Sequence, residues 1–279
     1  MKRIVRSVAV VTPLVCLPVA HAQTEMKPEW EAGAGIAAID FPMYRGSNER
    51  RFFLLPIPYF VYRGETLQIN RERVRGLIFR QDRVEMDISV NGSVPAQGSA
   101  ARQGMPDLNP TLEIGPSLNV HLYYAEDRKA NLDLRMPVRG VLASDFKSVQ
   151  SVGWVFQPQL AVDFHDVEQS GWNIGLVGGP IYADRRYHQY FYNVDPQYAT
   201  ATRPQYTASG GYSGVQFIVA SSKRYQDGYW IGGFMKWDSL NGAVFADSPL
   251  VKSRQYFTVG IAMTWTIDKS DKMVEVNND

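Results

Sequence analysis

Cysteine is nearly absent from this chain: Cys16 stands alone among 279 residues, beside only four histidines. One cysteine builds neither a disulfide framework nor a thiolate metal cluster. Long apolar runs are missing as well. No stretch reaches the roughly 18 consecutive apolar residues of a spanning helix. Charge of one sign is lacking too, with 29 Lys+Arg against 28 Asp+Glu, so nothing favours nucleic acid as a partner. Aromatics (12%) and 23 glycines are plentiful, which leaves a soluble all-β protein and a membrane barrel both open.

The N-terminus has an export pattern. Lys2, Arg3 and Arg6 precede an apolar run over residues 8–20, and Ala20-His21-Ala22 forms a small-x-small cleavage site. Cleavage after Ala22 is expected, which removes Cys16 and leaves 26 Lys+Arg against 28 Asp+Glu, a balance of −2. A membrane-anchoring helix is disfavoured because the run is short and carries Pro13 and Pro18. A lipoprotein signal is disfavoured by the bulky Val15 before Cys16.

The main signal beyond the leader is period-two alternation over about 10 residues, the length with which a tilted strand crosses a bilayer. Phe257, Val259, Ile261, Met263, Trp265 and Ile267 share one face, opposite Tyr256, Thr258, Gly260, Ala262, Thr264 and Thr266. Leu112, Ile114, Leu118, Val120 and Leu122 likewise oppose Glu113, Gly115, Ser117, Asn119 and His121. Val84, Met86, Ile88 and Val90 oppose Glu85, Asp87, Ser89 and Asn91. Trp154, Phe156, Leu160, Val162 and Phe164 oppose Gln157, Gln159, Ala161 and Asp163. The strands exceed the usual 5–6 residues of globular sheets, the polar face suits a wet lumen, and aromatics gather near strand ends. The pattern predicts an all-β, transmembrane, antiparallel up-and-down β-barrel in the Gram-negative outer membrane.

Strands are expected near 29–39, 51–62, 66–80, 83–92, 111–124, 130–142, 151–165, 171–182, 211–221, 229–238 and 254–267. Bacterial barrels have an even number, so 66–80 is read as two short strands broken near Arg71-Glu72-Arg73, giving about twelve, with ten as the alternative. Long external loops are expected at 93–110, 143–150, 182–210 and 239–253, and short periplasmic turns at 125–129, 166–170 and 222–228. The division is a signal peptide over 1–22, a barrel over 23–267 and a polar, disordered tail over 268–279.

Several segments resemble the MipA/OmpV family of MltA-interacting outer-membrane proteins. They are Gly33-Ala34-Gly35, Pro42-Met43-Tyr44-Arg45-Gly46-Ser47, Leu55-Pro56-Ile57-Pro58-Tyr59 and Tyr62-Arg63-Gly64. Further on come Tyr190-Phe191-Tyr192-Asn193-Val194-Asp195-Pro196, Arg203-Pro204, Gly210-Gly211-Tyr212-Ser213-Gly214 and Asp247-Ser248-Pro249-Leu250-Val251. The ordered set runs from about residue 30 to 267. The resemblance implies an outer-membrane barrel and, for the family's namesake, a scaffold joining a lytic transglycosylase to a peptidoglycan synthase.

Candidate chemistry is sparse. Ser117, Asn119 and His121 share a strand face, but Ser117 and His121 are four residues apart, about 13 Å at a rise of ~3.3 Å per residue. Asn119 is expected to be about 7 Å from each by the same rise. No catalytic role is therefore assigned. Asp163, His165, Asp166 and Glu168 read as a solvated turn, and no metal or cofactor is expected. Arg71, Arg73 and Arg75, with Glu85, Asp87 and Glu113, form a candidate lumen charge cluster: either mutually paired or an anion-attracting constriction. Arg185, Arg186, Tyr190, Tyr192, Asp195, Arg203 and Tyr206 form a candidate binding loop, rich in residues that favour interfaces.

The leading expectation is a non-enzymatic envelope scaffold. A narrow channel is the alternative, and an outer-membrane lipid hydrolase the second alternative. Outer-membrane lipid and lipopolysaccharide are expected partners, with a lytic transglycosylase and a peptidoglycan synthase as implied by the resemblance.

Overall fold

The computed structural model describes residues 25–276, apart from 65–66, 70–73, 77, 82, 128, 146 and 226. Among them the chain runs through β1 (Glu25–Pro28), β2 (Trp30–Pro42), β3 (Arg50–Arg63), β4 (Leu67–Ile69), β5 (Val74–Gly76), β6 (Phe79–Gln81) and β7 (Val84–Ser93). It continues through β8 (Thr111–Tyr124), β9 (Ala130–Ser144), β10 (Val149–Phe156), β11 (Gln159–Phe164), β12 (Trp172–Ala183) and helix α1 (Arg185–Tyr192). The last strands are β13 (Gly211–Arg224), β14 (Tyr229–Ser239), β15 (Gln255–Lys269) and β16 (Met273–Val276).

Each strand from β2 to β15 lies beside its neighbour in sequence, all antiparallel, and the last of them returns to pair with β2. β5 pairs with β4, β6 with β7, and β5 also lies against β7, so the order comes round on itself. β5 with β6, and β10 with β11, are single strands with interruptions, which makes twelve staves. The second interruption falls at Pro158, which has no N–H for a ladder, while Gln157 N–H still reaches the Pro137 carbonyl at 3.2 Å.

Alternation settles which way the side chains point. Phe257, Val259, Ile261 and Ile267 are exposed on the outside at 43–76%, whereas Tyr256, Thr258, Gly260 and Thr264 turn inward. The outer row on β8 is Leu112, Ile114 and Leu122, and the inner row Glu113, Ser117 and Asn119. A soluble protein would hide the first set and expose the second. The ten-residue step from Phe257 to Ile267 covers roughly 33 Å along the strand, or about 25 Å of bilayer once tilted.

Long connections gather at one end, taken as the cell surface. They are residues 43–49, 94–110, 184–210 and 240–254. Short turns and the chain ends lie at the other end. Three expectations need correcting. The connection expected at 143–150 is a tight turn over 145–148, because Asp145 Oδ1 accepts the N–H groups of Lys147 (2.9 Å) and Ser148 (2.7 Å). The long loop after β12 contains helix α1, capped by Asp184, whose Oδ1 accepts Tyr187 N–H at 3.0 Å. The C-terminal segment is not a disordered tail through Val276, since β16 pairs with β1 as a periplasmic ribbon.

Placing a cation on the lipid face at mid-height should cost ~2–4 kcal/mol, against much less in the lumen. Ile261→Arg is therefore expected to lower the folded, heat-modifiable fraction in vesicles, while Gln216→Arg leaves it nearly unchanged. Equal effects of the two would contradict the assigned facing.

Candidate functional site

Inside the staves lies a continuous cavity of about 2550 Å³. It runs from Tyr44, Tyr187 and Tyr192 at the surface end to Lys27, Lys272 and Glu275 of the ribbon at the periplasmic end. The barrel is therefore hollow, rather than filled by its own side chains.

One wall is polar and cross-linked. Glu113 Oε2 on β8 accepts from Arg139 Nε on β9 at 2.9 Å, and Asn91 Nδ2 approaches the same oxygen at 3.3 Å. Arg139 Nη2 donates to Gln157 Oε1 at 2.7 Å, and Gln157 Nε2 passes the chain to Gln216 Oε1 on β13 at 2.9 Å. Lower down, Arg135 bridges Asp133 (3.3 Å) and Asp163 (3.1 Å), and Asp133 also takes His121 Nδ1 at 2.8 Å. Near the periplasmic rim Glu31 holds Arg63 (2.5 Å), Arg224 (2.8 Å) and the Tyr59 hydroxyl (2.9 Å). The opposite wall, on β2 and β3, is apolar: Ala37, Ile39, Phe41, Phe53 and Leu55 line it, and Phe41 stacks on Phe53 at 5.7 Å.

Of the predicted charge cluster, Glu85, Asp87 and Glu113 are buried on the inner faces of β7 and β8. Arg71 and Arg73, and the Arg75 side chain, lie outside the described residues. The guanidinium that Glu113 holds is Arg139, which the sequence reading passed over. A signal for it existed, because Asn131, Asp133, Arg135 and Arg139 recur at odd positions along β9. Asn119 is nearer to Ser117 than expected. The two side chains lean together along the strand, and Ser117 Oγ donates to Asn119 Oδ1 at 2.9 Å. Ser117 and His121 thus have separate partners, and no nucleophile–base pair joins them. At the turn after β11, Asp166 accepts Gly171 N–H at 2.8 Å and faces Lys129 at 3.4 Å, as a solvated turn would.

The surface end is closed by a plug with its own apolar core. Tyr192 lies flat on Phe245 at 3.7 Å between ring centres, and Leu240, Leu250 and Phe191 are buried around them. The candidate binding loop supplies much of this plug. Tyr192 donates from its hydroxyl to the Arg45 carbonyl (2.9 Å), and Tyr190 accepts Asn109 N–H (2.9 Å). Tyr206 donates to Val244 O (3.2 Å). Arg203 ties down the carbonyls of Tyr198, Ala101 and Gln103 at 2.8–3.1 Å. Arg185, Arg186 and Asp195 are the exposed members, on the outer face. Burial pushes the Tyr44 phenol up to about 12, so it stays protonated and donates to Leu250 O at 2.8 Å.

Helix α1 is pinned at two points. Gly153, at φ 122°, leaves room for Asp184 and Tyr187, since a Cβ there would lie 2.1 Å from Asp184 Oδ1. His188 is fully buried, with Nδ1 against Ser209 O at 2.6 Å and Nε2 against Ser213 Oγ at 2.5 Å. A neutral imidazole satisfies both, donating from Nδ1 and accepting at Nε2. Burial holds the His188 pKa below its ordinary value; Arg45 acts in the same direction, against the Ser209 carbonyl and Asp184. An unfolded plug would take up the proton at about 6.5. Plug stability is then complete above that pH and falls as pH drops towards the lower folded value. Amide exchange over residues 185–192, corrected for intrinsic rates, should quicken between pH about 7.5 and about 5, and His188→Gln should flatten the change. Equal protection at both pH values would count against this.

Comparison with known proteins adds the family. No curated protein matches the chain significantly. Among solved structures, similarity extends to a bacterial polysaccharide outer membrane secretin, with 7% identity over 85% of this chain and 99% of that one and a TM-score of 0.42. It also extends to an outer membrane channel from Pseudomonas putida F1, with 13% identity over 92% and 100% and a TM-score of 0.33. A third is the Ralstonia pickettii toluene transporter TbuX, at 9% identity over 89% and 72% and a TM-score of 0.27. The model of the MltA-interacting protein MipA family matches residues 33–267, which span ten of the twelve staves in full and most of the first and the last. This chain therefore belongs to the MltA-interacting protein MipA family, as an outer-membrane β-barrel.

Proposed function

We propose that this barrel is a non-enzymatic conduit for small polar solutes, held shut at the cell surface by its plug. The observation that carries this reading is the continuous cavity of about 2550 Å³ between plug and periplasmic ribbon. A scaffold alone needs no such space. The hydrogen-bonded wall from Glu113 to Gln216 offers donors and acceptors to a hydrated solute. The candidate pair does not support hydrolysis: Ser117 is turned to Asn119, and His121 to Asp133. The exposed Arg185 and Arg186 on the plug suit lipopolysaccharide phosphates.

In planar bilayers the intact protein should conduct weakly. Phe245→Ala removes one half of the Tyr192 stack at a local cost of ~3–5 kcal/mol, so its open-state conductance or open probability should rise. Both proteins remaining silent would end the conduit reading.

A second reading is supported by a separate feature. Among the described residues the β1–β16 ribbon at the periplasmic end forms a two-stranded sheet separate from the barrel sheet, and strand edges recruit partners. The family's name points to an interaction with MltA, and the ribbon is where such a peptidoglycan-remodelling enzyme, a lytic transglycosylase with a synthase behind it, would dock. Tagged barrel should retrieve such an enzyme from envelopes, and truncation before Met273 should abolish the retrieval. Retrieval that survives truncation would move the docking site elsewhere, and no retrieval at all would remove the scaffold reading.

A further inference from the structure

Beneath the plug, the inner faces of β13, β14 and β15 form two rungs. The register sets Gln216, Asp238 and Tyr256 side by side, and Ile218, Lys236 and Thr258 in the next rung towards the periplasm. All six side chains line the cavity.

The polarity of the hydrogen-bonded wall is fixed from its far end. A guanidinium only donates, so Arg139 Nη2 must meet the Gln157 oxygen, at 2.7 Å. That turns the Gln157 NH2 group towards Gln216, whose own oxygen accepts it at 2.9 Å. The Gln216 NH2 group is therefore the last donor of the chain, and it has no acceptor among the described residues.

Lys236 is placed in the same way. Its Nζ lies 3.8 Å from Asp238 Oδ2, too far for a hydrogen bond. Asp238 gives its other oxygen to Arg45 Nε at 3.3 Å, and Oδ2 is buried out of a solute's reach. Two cations thus share one carboxylate, whereas the Arg139–Glu113 pair along the wall is balanced. Thr258, opposite Lys236, is 4% exposed, and its hydroxyl has no partner among the described residues. Gln216 and Lys236 are diagonal neighbours, about 7–8 Å apart at the backbone and within reach of each other through long side chains. An ammonium and an amide NH2 therefore converge on one space, with one positive charge in excess.

The adjoining wall is apolar. Gly260 on β15 lies between Phe234 on β14 and Ile39 on β2. It leaves room for the Phe234 ring, since a Cβ there would lie 2.5 Å from the ring edge. Phe41, next after Ile39 on the inner face of β2, stacks on Phe53. β14 and β2 are two strand spacings apart, about 10 Å. An aromatic ring with a short acidic arm spans that distance.

We propose that the lumen beneath the plug holds a subsite for ring-bearing monocarboxylates, with the carboxylate between Lys236 Nζ and Gln216 Nε2 and the ring against Phe234, Ile39 and Phe41. One excess positive charge matches a monoanion; a phosphate dianion would leave a charge uncompensated in the wall. The subsite rests on the reading of the lumen as a solute conduit and names the class of solute it takes.

The test measures binding instead of conduction. Full-length protein in detergent micelles is titrated with para-fluorophenylacetate and followed by fluorine NMR. The matching amide removes the charge, and fluoroacetate removes the ring. Micelles take up each probe equally in every variant, so differences between variants report the site. The acid should bind saturably, and each of the other two probes several-fold more weakly. Lys236→Met should weaken the acid roughly tenfold or more, and Lys236→Arg should retain most of the affinity. Phe245→Ala is titrated alongside, so that a closed plug does not hide the site. Unchanged affinity in Lys236→Met, an amide that binds as tightly as the acid, or no saturation in either wild-type or Phe245→Ala protein overturns the subsite. Gln216→Leu, with the same expected direction, replaces Lys236→Met should the latter fail to show heat-modifiable migration. Saturable binding to a barrel that stays silent in planar bilayers keeps the subsite and ends only the conduit; conduction without binding does the reverse.

Discussion

A backbone N–H or C=O without a partner in hydrocarbon costs several kcal/mol, so a sheet in a bilayer must satisfy its ladder within itself. That constraint explains why the strands from β2 to β15 all pair with sequence neighbours, and why the last comes back to the first. It also dictates the side chains. Once the backbone is a ring, one row of each strand meets lipid and the other meets whatever the ring encloses. Val259 and Thr258, or Leu112 and Glu113, are adjacent in the chain but belong to different solvents.

The same constraint moves the hydrophobic core out of the barrel. A soluble domain packs its apolar rows against each other; here those rows are committed to lipid. The lumen is held by directed bonds instead, Glu113 to Arg139 to Gln157 to Gln216, and by ion pairs around Glu31 and Asp133. Among the described residues close-packed apolar burial centres on the surface plug, where Tyr192, Phe245, Leu240 and Leu250 are almost wholly hidden. Aromatic packing of that kind is unforgiving of lost volume. His188 adds a charge-sensitive joint to it.

The strands were legible because period two is written over long stretches with little else competing. Residues 111–124 were expected as a strand and form β8 with those bounds. Legibility failed where local chemistry overrode periodicity. Pro158 splits an otherwise continuous strand, Asp145 turns a presumed loop into a tight connection, and Arg185–Tyr192 forms a helix that its aromatic composition hardly favours. That helix exists because Asp184 caps it and the cluster around Phe245 buries its Tyr187, Phe191 and Tyr192. Those are contacts between distant segments and leave no local period. The site was half legible for a related reason. Alternation assigns Glu113 to the lumen, but the identity of its partner depends on register between β8 and β9, which a single sequence does not encode visibly.

Register also bears on how such a lumen would select solutes. An excess of unpaired arginines in the wall would hold a positive potential and favour anions. The described arginines of the wall are instead matched to carboxylates: Arg139 to Glu113, Arg135 to Asp133 and Asp163, Arg63 and Arg224 to Glu31, and Arg45 to Asp238. Paired charges form local dipoles whose fields fall off quickly in a hydrated space. What remains to discriminate among solutes is the asymmetry of the wall itself, polar on β8 to β13 and apolar on β2 and β3. In the proposed conduit, the described wall would sort by shape and amphipathicity more than by charge, since a molecule with one polar and one apolar side would meet a complementary surface across its width.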